Sequence, residues 1–138
     1  MISQEIRKIA PEMDPLRMGM GWTVEDLSKP QVMIESTFGD SHPGSAHLLS
    51  LANSAAEGVA QAGGKGARYF ATDICAGMAQ GHDGINYSLA SRDVICSLCE
   101  IHANATPFDA GVFIASCDKS VPALLMAIGR INIPSVMV

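Results

Sequence analysis

The chain has 138 residues, enough for about one domain with a real core. Its formal net charge of −5 argues against nucleic acid or an anionic membrane as the main partner. Only 17% of residues are charged and 5% aromatic, which fits a buried domain rich in small residues. No apolar run reaches the roughly 18 residues of a membrane span. The start carries Glu5, Arg7 and Lys8 and lacks a signal-peptide core, so a cytoplasmic location is expected.

Residues 1–30 hold Pro11, Pro15, Gly19, Gly21 and Pro30. They read as an irregular N-terminal arm, opening on a short amphipathic helix near Ile2 to Ile9, that lies across another part of the protein or another subunit. Residues 31–138 read as an α/β domain. Gln31 to Ser36 is a strand, followed by the loop Thr37 to Gly44 with Asp40, Ser41 and His42. Ser45 caps a helix whose apolar face holds Leu48, Leu51, Ala52, Ala55 and Val59 and which ends at Gly63-Gly64. A second strand, Arg68 to Ile74, feeds the glycine-punctuated loop Cys75 to Gly84. Ser88 or Ser91 then starts a helix that runs to about Ala105.

Gly111 to Ala115 is a short β-rich run, as expected for a strand buried on both faces of a parallel sheet. Val121 to Ile128 is a helix with Pro122 in its first turn, and Ile133 to Val138 is a fourth strand. Strand and helix alternating at these spacings predict a parallel sheet of about four strands with helices on both faces. The last strand has no turn after it, so the chain reads as the N-terminal portion of a larger domain, truncated at its C-terminal end.

Ser116-Cys117-Asp118-Lys119-Ser120 lies where the third strand gives way to a helix. In open α/β sheets, ligands bind outside the carboxyl ends of the strands, so a thiol, a carboxylate and an amine there read as a site. Cys75 occupies the same edge one crossover away, and two thiols on one edge can share a soft metal or an iron–sulfur cluster. Asp118 offers a hard oxygen for Mg²⁺. Lys119 would repel a metal unless its amine is carbamylated, or it pairs with a substrate carboxylate. Asp40, Asp73 and Asp83 are further carboxylates at this edge, readable also as solvated turn residues. His42 and His47 flank a turn within reach of a substrate, or serve as caps. Cys96 and Cys99 form a CxxC inside a helical pattern and read as small core fillers. The glycine loop matches neither phosphate-binding spacing.

Taken together, these residues resemble the dihydroxy-acid dehydratase and phosphogluconate dehydratase family. The matching stretches are Gln80 to Asp93, Phe108-Asp109 and Cys117 to Ala127. The resemblance implies iron–sulfur hydro-lyase activity on a sugar acid (aldonate) or other 2,3-dihydroxy acid, giving a 2-keto-3-deoxy acid. It implies that Cys117 binds the cluster, that Asp118 binds Mg²⁺, and that Lys119 is a carbamylated, catalytic metal ligand.

In the dihydroxy-acid branch a cluster cysteine lies in a Thr-Pro-Cys-Asn loop after the first strand; here that loop reads Asp40-Ser41-His42-Pro43-Gly44. Cys75 instead matches the sugar-acid branch, which favours [4Fe–4S] over [2Fe–2S]. The family's Asp before Gly77 is Ala76, so Asp73 or Asp83 substitutes, Mg²⁺ binding is weakened, or the protein is an inactive version. Asp40, Ser41 and His42 are the candidate substrate contacts. A third cluster cysteine and a serine base would lie beyond Val138, so this portion alone should not catalyse. A small-molecule substrate and a homodimer or homotetramer complete the expectation; dehydration in branched-chain amino-acid synthesis, or a non-catalytic module of the same fold, is the alternative.

Overall fold

The structure, a computed structural model, describes residues 1–138. Four strands, β1 (Gln31–Ser36), β2 (Lys65–Phe70), β3 (Ala110–Ile114) and β4 (Ser135–Met137), form one sheet. Their order is β2-β1-β3-β4 and every pair is parallel. The expected α/β class and strand number hold. The chain places β2 on one side of β1, then crosses back and adds β3 and β4 on the other. Sheet growth therefore reverses between β2 and β3, which makes the carboxyl ends of β1 and β3 the topological switch point.

Side-chain alternation along β1 sets the two layers. Met33 packs with Ile95, Cys96 and Cys99 of helix α7 (Tyr87–Ala105) and with Ala123, Leu124 and Ala127 of α8 (Ser120–Ile131). Ile34 faces the other way, onto Leu48 and Ala52 of α5 (Leu48–Gln61). Helices thus cover both faces, as a buried parallel sheet requires. Cys96 and Cys99 are wholly buried in the core, and burial pushes the Cys99 thiol far up. No helix is long and apolar enough to cross a membrane.

Several element boundaries differ from expectation: β4 keeps only Ser135–Met137 of Ile133 to Val138, and α7 starts at Tyr87, ahead of Ser88 and Ser91. β2 spans Lys65–Phe70, not Arg68 to Ile74, because its register runs Gln31↔Lys65 to Ser36↔Phe70 and β1 ends at Ser36. Beyond Phe70 the chain has no continuing ladder, and Asp73 and Cys75 leave in the loop. Ser45 does not cap the long helix. It sits inside a separate turn of helix, α4 (Pro43–Ala46), and α5 begins only at Leu48.

The arm is more regular than its prolines and glycines suggest. It forms α1 (Ile2–Ile9), α2 (Met13–Gly19) and α3 (Val24–Ser28), the last opened by a capping box between Thr23 and Asp26. It lies across its own domain. Asp109, just before β3, accepts hydrogen bonds from the Ser3 amide (3.0 Å), the Ser3 hydroxyl (2.6 Å) and the Gln31 amide (2.9 Å). Arg17 lies over the Trp22 ring at 4.3 Å, and Lys65 donates to Asp26 at 2.9 Å.

Candidate metal centre

The loops leaving β1, β2 and β3 meet at the carboxyl edge and are tied together by hydrogen bonds. Thr72 donates to the Phe38 carbonyl at 2.6 Å, joining the first and second loops. Ser116 donates to the Gly44 carbonyl, joining the third to the first. Gly39 permits the first junction, since a Cβ there would stand 2.5 Å from the Thr72 methyl. Within the third loop the Cys117 amide donates to Ser120 Oγ (2.9 Å), which returns a bond to the Cys117 carbonyl (3.1 Å). This turn presents the Cys117 side chain ahead of α8.

One donor from each loop converges. A ring nitrogen of His42, a carboxylate oxygen of Asp73 and Cys117 Sγ all lie within 4.8 Å of one another. His42 and Asp73 are each only 3% exposed, and His42 Nε2 sits 3.0 Å from Asp73 Oδ1. Three polar atoms here are buried without a partner: His42 Nδ1, Asp73 Oδ2 and Lys119 Nζ. Buried polar groups are almost always paired, so three orphans in one place mark a site built for something more than the chain. Burial, then the Asp73 charge, pushes the Cys117 thiol up, opposed by the Ser116 hydroxyl and by Lys119. A thiol held protonated is a poor free nucleophile, but it becomes a ligand when a metal displaces its proton.

The other residues singled out from the sequence are placed less centrally. Cys75 is half-buried at the start of α6 (Ala76–Ala79), outside the trio. It lines a neighbouring cleft of about 370 Å³ with Ser41, His82, Tyr87 and Asp73, so Asp73 borders both thiols' surroundings. Asp40, Ser41, Asp83 and Asp118 are exposed. His82 is used locally, accepting from the Gly84 amide at 3.0 Å. A larger cleft of about 830 Å³ lies elsewhere, between α2 and the outer edge of β2.

The loop-joining roles of Ser45, Ser116 and Gly44 are not legible in the sequence, where Ser45 reads as a cap and Ser116 as part of the Cys117 run, because they exist only once three distant loops meet. Nor is a buried acid one residue from the end of β1. Glu35 is fully buried, and His102 Nδ1 of α7 lies 2.9 Å from its Oε2. Burial pushes the Glu35 carboxyl up to about 7, partly offset by His102. The folded protein then holds this proton more tightly than the unfolded chain, so Glu35's contribution is complete below its ordinary 4.5 and is lost as the pH rises through about 7. Glu35→Gln is expected to remove that decline, a difference of up to roughly 3 kcal/mol across the window. Urea unfolding of both proteins from pH 4 to 8 measures it; parallel stability curves would refute the assignment.

The family model for the Dihydroxy-acid/6-phosphogluconate dehydratase N-terminal region matches residues 29–138. The chain belongs to this family. A dihydroxy-acid dehydratase of Oleidesulfovibrio alaskensis is 43% identical over 123 residues, which cover 89% of this chain and 22% of the relative. One from Nitratidesulfovibrio vulgaris (strain Miyazaki F) is 44% identical over 119 residues, 86% of this chain and 21% of that protein. One from Dehalococcoides mccartyi (strain CBDB1) is 42% identical over 129 residues, 94% and 23% respectively. The chain thus spans under a quarter of the length of these curated relatives.

Proposed function

We propose that the protein is a hydro-lyase that removes water from a 2,3-dihydroxy acid to give a 2-keto acid, using an iron–sulfur cluster held by Cys117 and Cys75 together with Mg²⁺. The observation that carries this is the set of unpartnered buried atoms around Cys117 at the switch point, in a chain of a dehydratase family. A soft metal group fits there. Gly44 lets the first loop pass close to Cys117, since a Cβ there would stand 3.3 Å from Sγ, and the converging donors are the Cys117 sulfur and a His42 nitrogen, which suit a soft metal, with an Asp73 carboxylate oxygen beside them. For Mg²⁺ the fit is narrower, since Ala76 offers no oxygen and Asp118 is exposed.

A bound cluster would supply Lewis acidity for the departing C3 hydroxyl, and Mg²⁺ would supply it for the acid's carboxylate and C2 oxygen. The chain's own groups do the positioning. Asp118, exposed next to Cys117 in the chain, would be the hard-oxygen ligand. Lys119 Nζ, buried and unpaired at the start of α8, joins it once carbamylated, or meets the substrate carboxylate as an ammonium. The stitched loops fix these groups before substrate arrives, so little reorganisation is needed when charge develops. Asp40 and Ser41, exposed on the first loop, would meet the hydroxyls of the acid.

The relatives, each a dihydroxy-acid dehydratase, support the dihydroxy-acid class. Cys75 supports a second reading, a sugar acid as substrate with a [4Fe–4S] cluster, through its match to the sugar-acid branch. Assembly as a homodimer or homotetramer and a cytoplasmic location belong to the same proposal. The test is keto-acid formation by the full-length protein, purified without oxygen, from an aldonate and from a branched 2,3-dihydroxy acid. Turnover of one of them, with iron and sulfide both bound, is expected, and the faster substrate names the branch. A protein that binds iron and sulfide yet turns over neither is the inactive version that Ala76 suggests, and the proposal fails.

A further inference from the structure

We propose that the cleft between α2 and the outer edge of β2 binds a small amphiphilic anion, a carboxylate carried on an apolar body, with Arg17 as the residue that meets the carboxylate. This site is separate from the metal centre and does not rest on the iron–sulfur reading.

β2 is the last strand on its side of the sheet, and all six of its residues line this cleft of about 830 Å³. That volume suits a small molecule. Arg17, Lys65 and Arg68 line it and no acidic residue does, in a chain whose net charge is −5. A recess lined by one sign of charge concentrates ions of the other. Lys65 is matched by Asp26, but neither guanidinium meets a carboxylate. Arg68 donates to the Asn53 side-chain oxygen, and Arg17 Nη2 is buried without a partner. Buried polar groups are almost always paired, so this nitrogen calls for an acceptor that the chain does not supply.

Arg17 is already held in place. Its guanidinium lies 4.3 Å from the Trp22 ring centre and 5.5 Å from that of Phe108. A planar fork fixed in this way matches a carboxylate with two parallel hydrogen bonds. Burial pulls its pKa down, as it does for a cation kept from water without a counter-ion. The strand adds donors of its own. The amides of Lys65 and Ala71 donate to the Pro30 and Ser36 carbonyls on the β1 side. Amide direction alternates along a strand, so those of Gly66, Arg68 and Phe70 point away from β1, toward the open edge.

The rest of the lining sets the other half of the ligand. Leu16 and Met20, at the α2 side, are 72% and 78% exposed, and Leu49 and Phe70 extend the apolar surface. An inorganic anion would leave that surface in water, whereas an apolar tail would cover it.

The experiment is calorimetric titration of the full-length protein with hexanoate, with hexanamide, which has the same shape and no charge, and with acetate, which has the charge and no tail. Hexanoate is expected to bind at least tenfold more tightly than either. Arg17→Met should weaken it at least tenfold, and Met20→Glu, an acid placed at the exposed rim, several-fold. Cys117→Ser should bind hexanoate as the wild type does. Absence of hexanoate binding overturns the inference and leaves the dehydratase reading standing. Equal affinity for hexanamide or acetate also overturns it, as does wild-type affinity in a folded Arg17→Met. If Arg17→Met does not fold, wild-type affinity in Met20→Glu overturns it. Loss of binding in Cys117→Ser would place hexanoate at the metal centre and overturn it as well.

Discussion

Cys117→Ser is expected to give a folded protein that no longer retains iron and sulfide, with dehydratase activity lowered by two orders of magnitude or more. Losing a group that merely supports a metal ligand costs about 10–100-fold in affinity or activity, and Cys117 is itself the sulfur donor of the converging trio. Folding should survive. The turn that carries position 117 is held by its amide and carbonyl against Ser120, so exchanging sulfur for oxygen breaks neither bond. Iron and sulfide analysis with a thermal melt reads both halves at once. Retention of iron at the wild-type level would refute the placement of the cluster, and loss of the folded state would refute the independence of the turn from its side chain.

Asp109→Ala is expected to destabilise the protein strongly while leaving the metal centre intact. One carboxylate accepts from the amides of Ser3 and Gln31 and from the Ser3 hydroxyl, and both Ser3 and Gln31 are 1% exposed. Truncation strands three buried donors, each costing about 1–3 kcal/mol, so a total near 3 kcal/mol is expected after relaxation. The arm should detach first. Limited proteolysis would then cut within residues 1–30 before the domain unfolds in denaturant. Cleavage at the same rate as wild type, with an unchanged urea midpoint, would show that the arm is held elsewhere.

What could be read from the sequence was whatever depends on neighbours in the chain. β3 and α8 follow from a short apolar run and a first-turn proline, and Cys117 follows from lying between them. Cys96 and Cys99, three apart in a helical pattern, were readable as core for the same reason. The end of β2 was not. Phe70, Thr72 and Ile74 look β-forming, but a strand stops where its partner stops, and that partner is β1, more than thirty residues away. Asp73 illustrates the cost of that misreading. From sequence it is a carboxylate at the tip of a strand, open to solvent or to Mg²⁺; in the structure it is buried against His42, and their pairing is a tertiary fact. Glu35 is legible only as a polar residue in a β run, since nothing nearby announces that His102 will meet it.

The reversal of strand order after β2 has an evolutionary consequence. The segments bearing His42, Asp73 and Cys117 hang from strand tips and contribute no rung to the ladder between β1 and its neighbours. Donor identity on such tips can drift from thiol to imidazole or carboxylate while the scaffold beneath stays unaltered. A lineage built this way can exchange the chemistry of its inorganic centre one tip at a time, and never has to refold to do so.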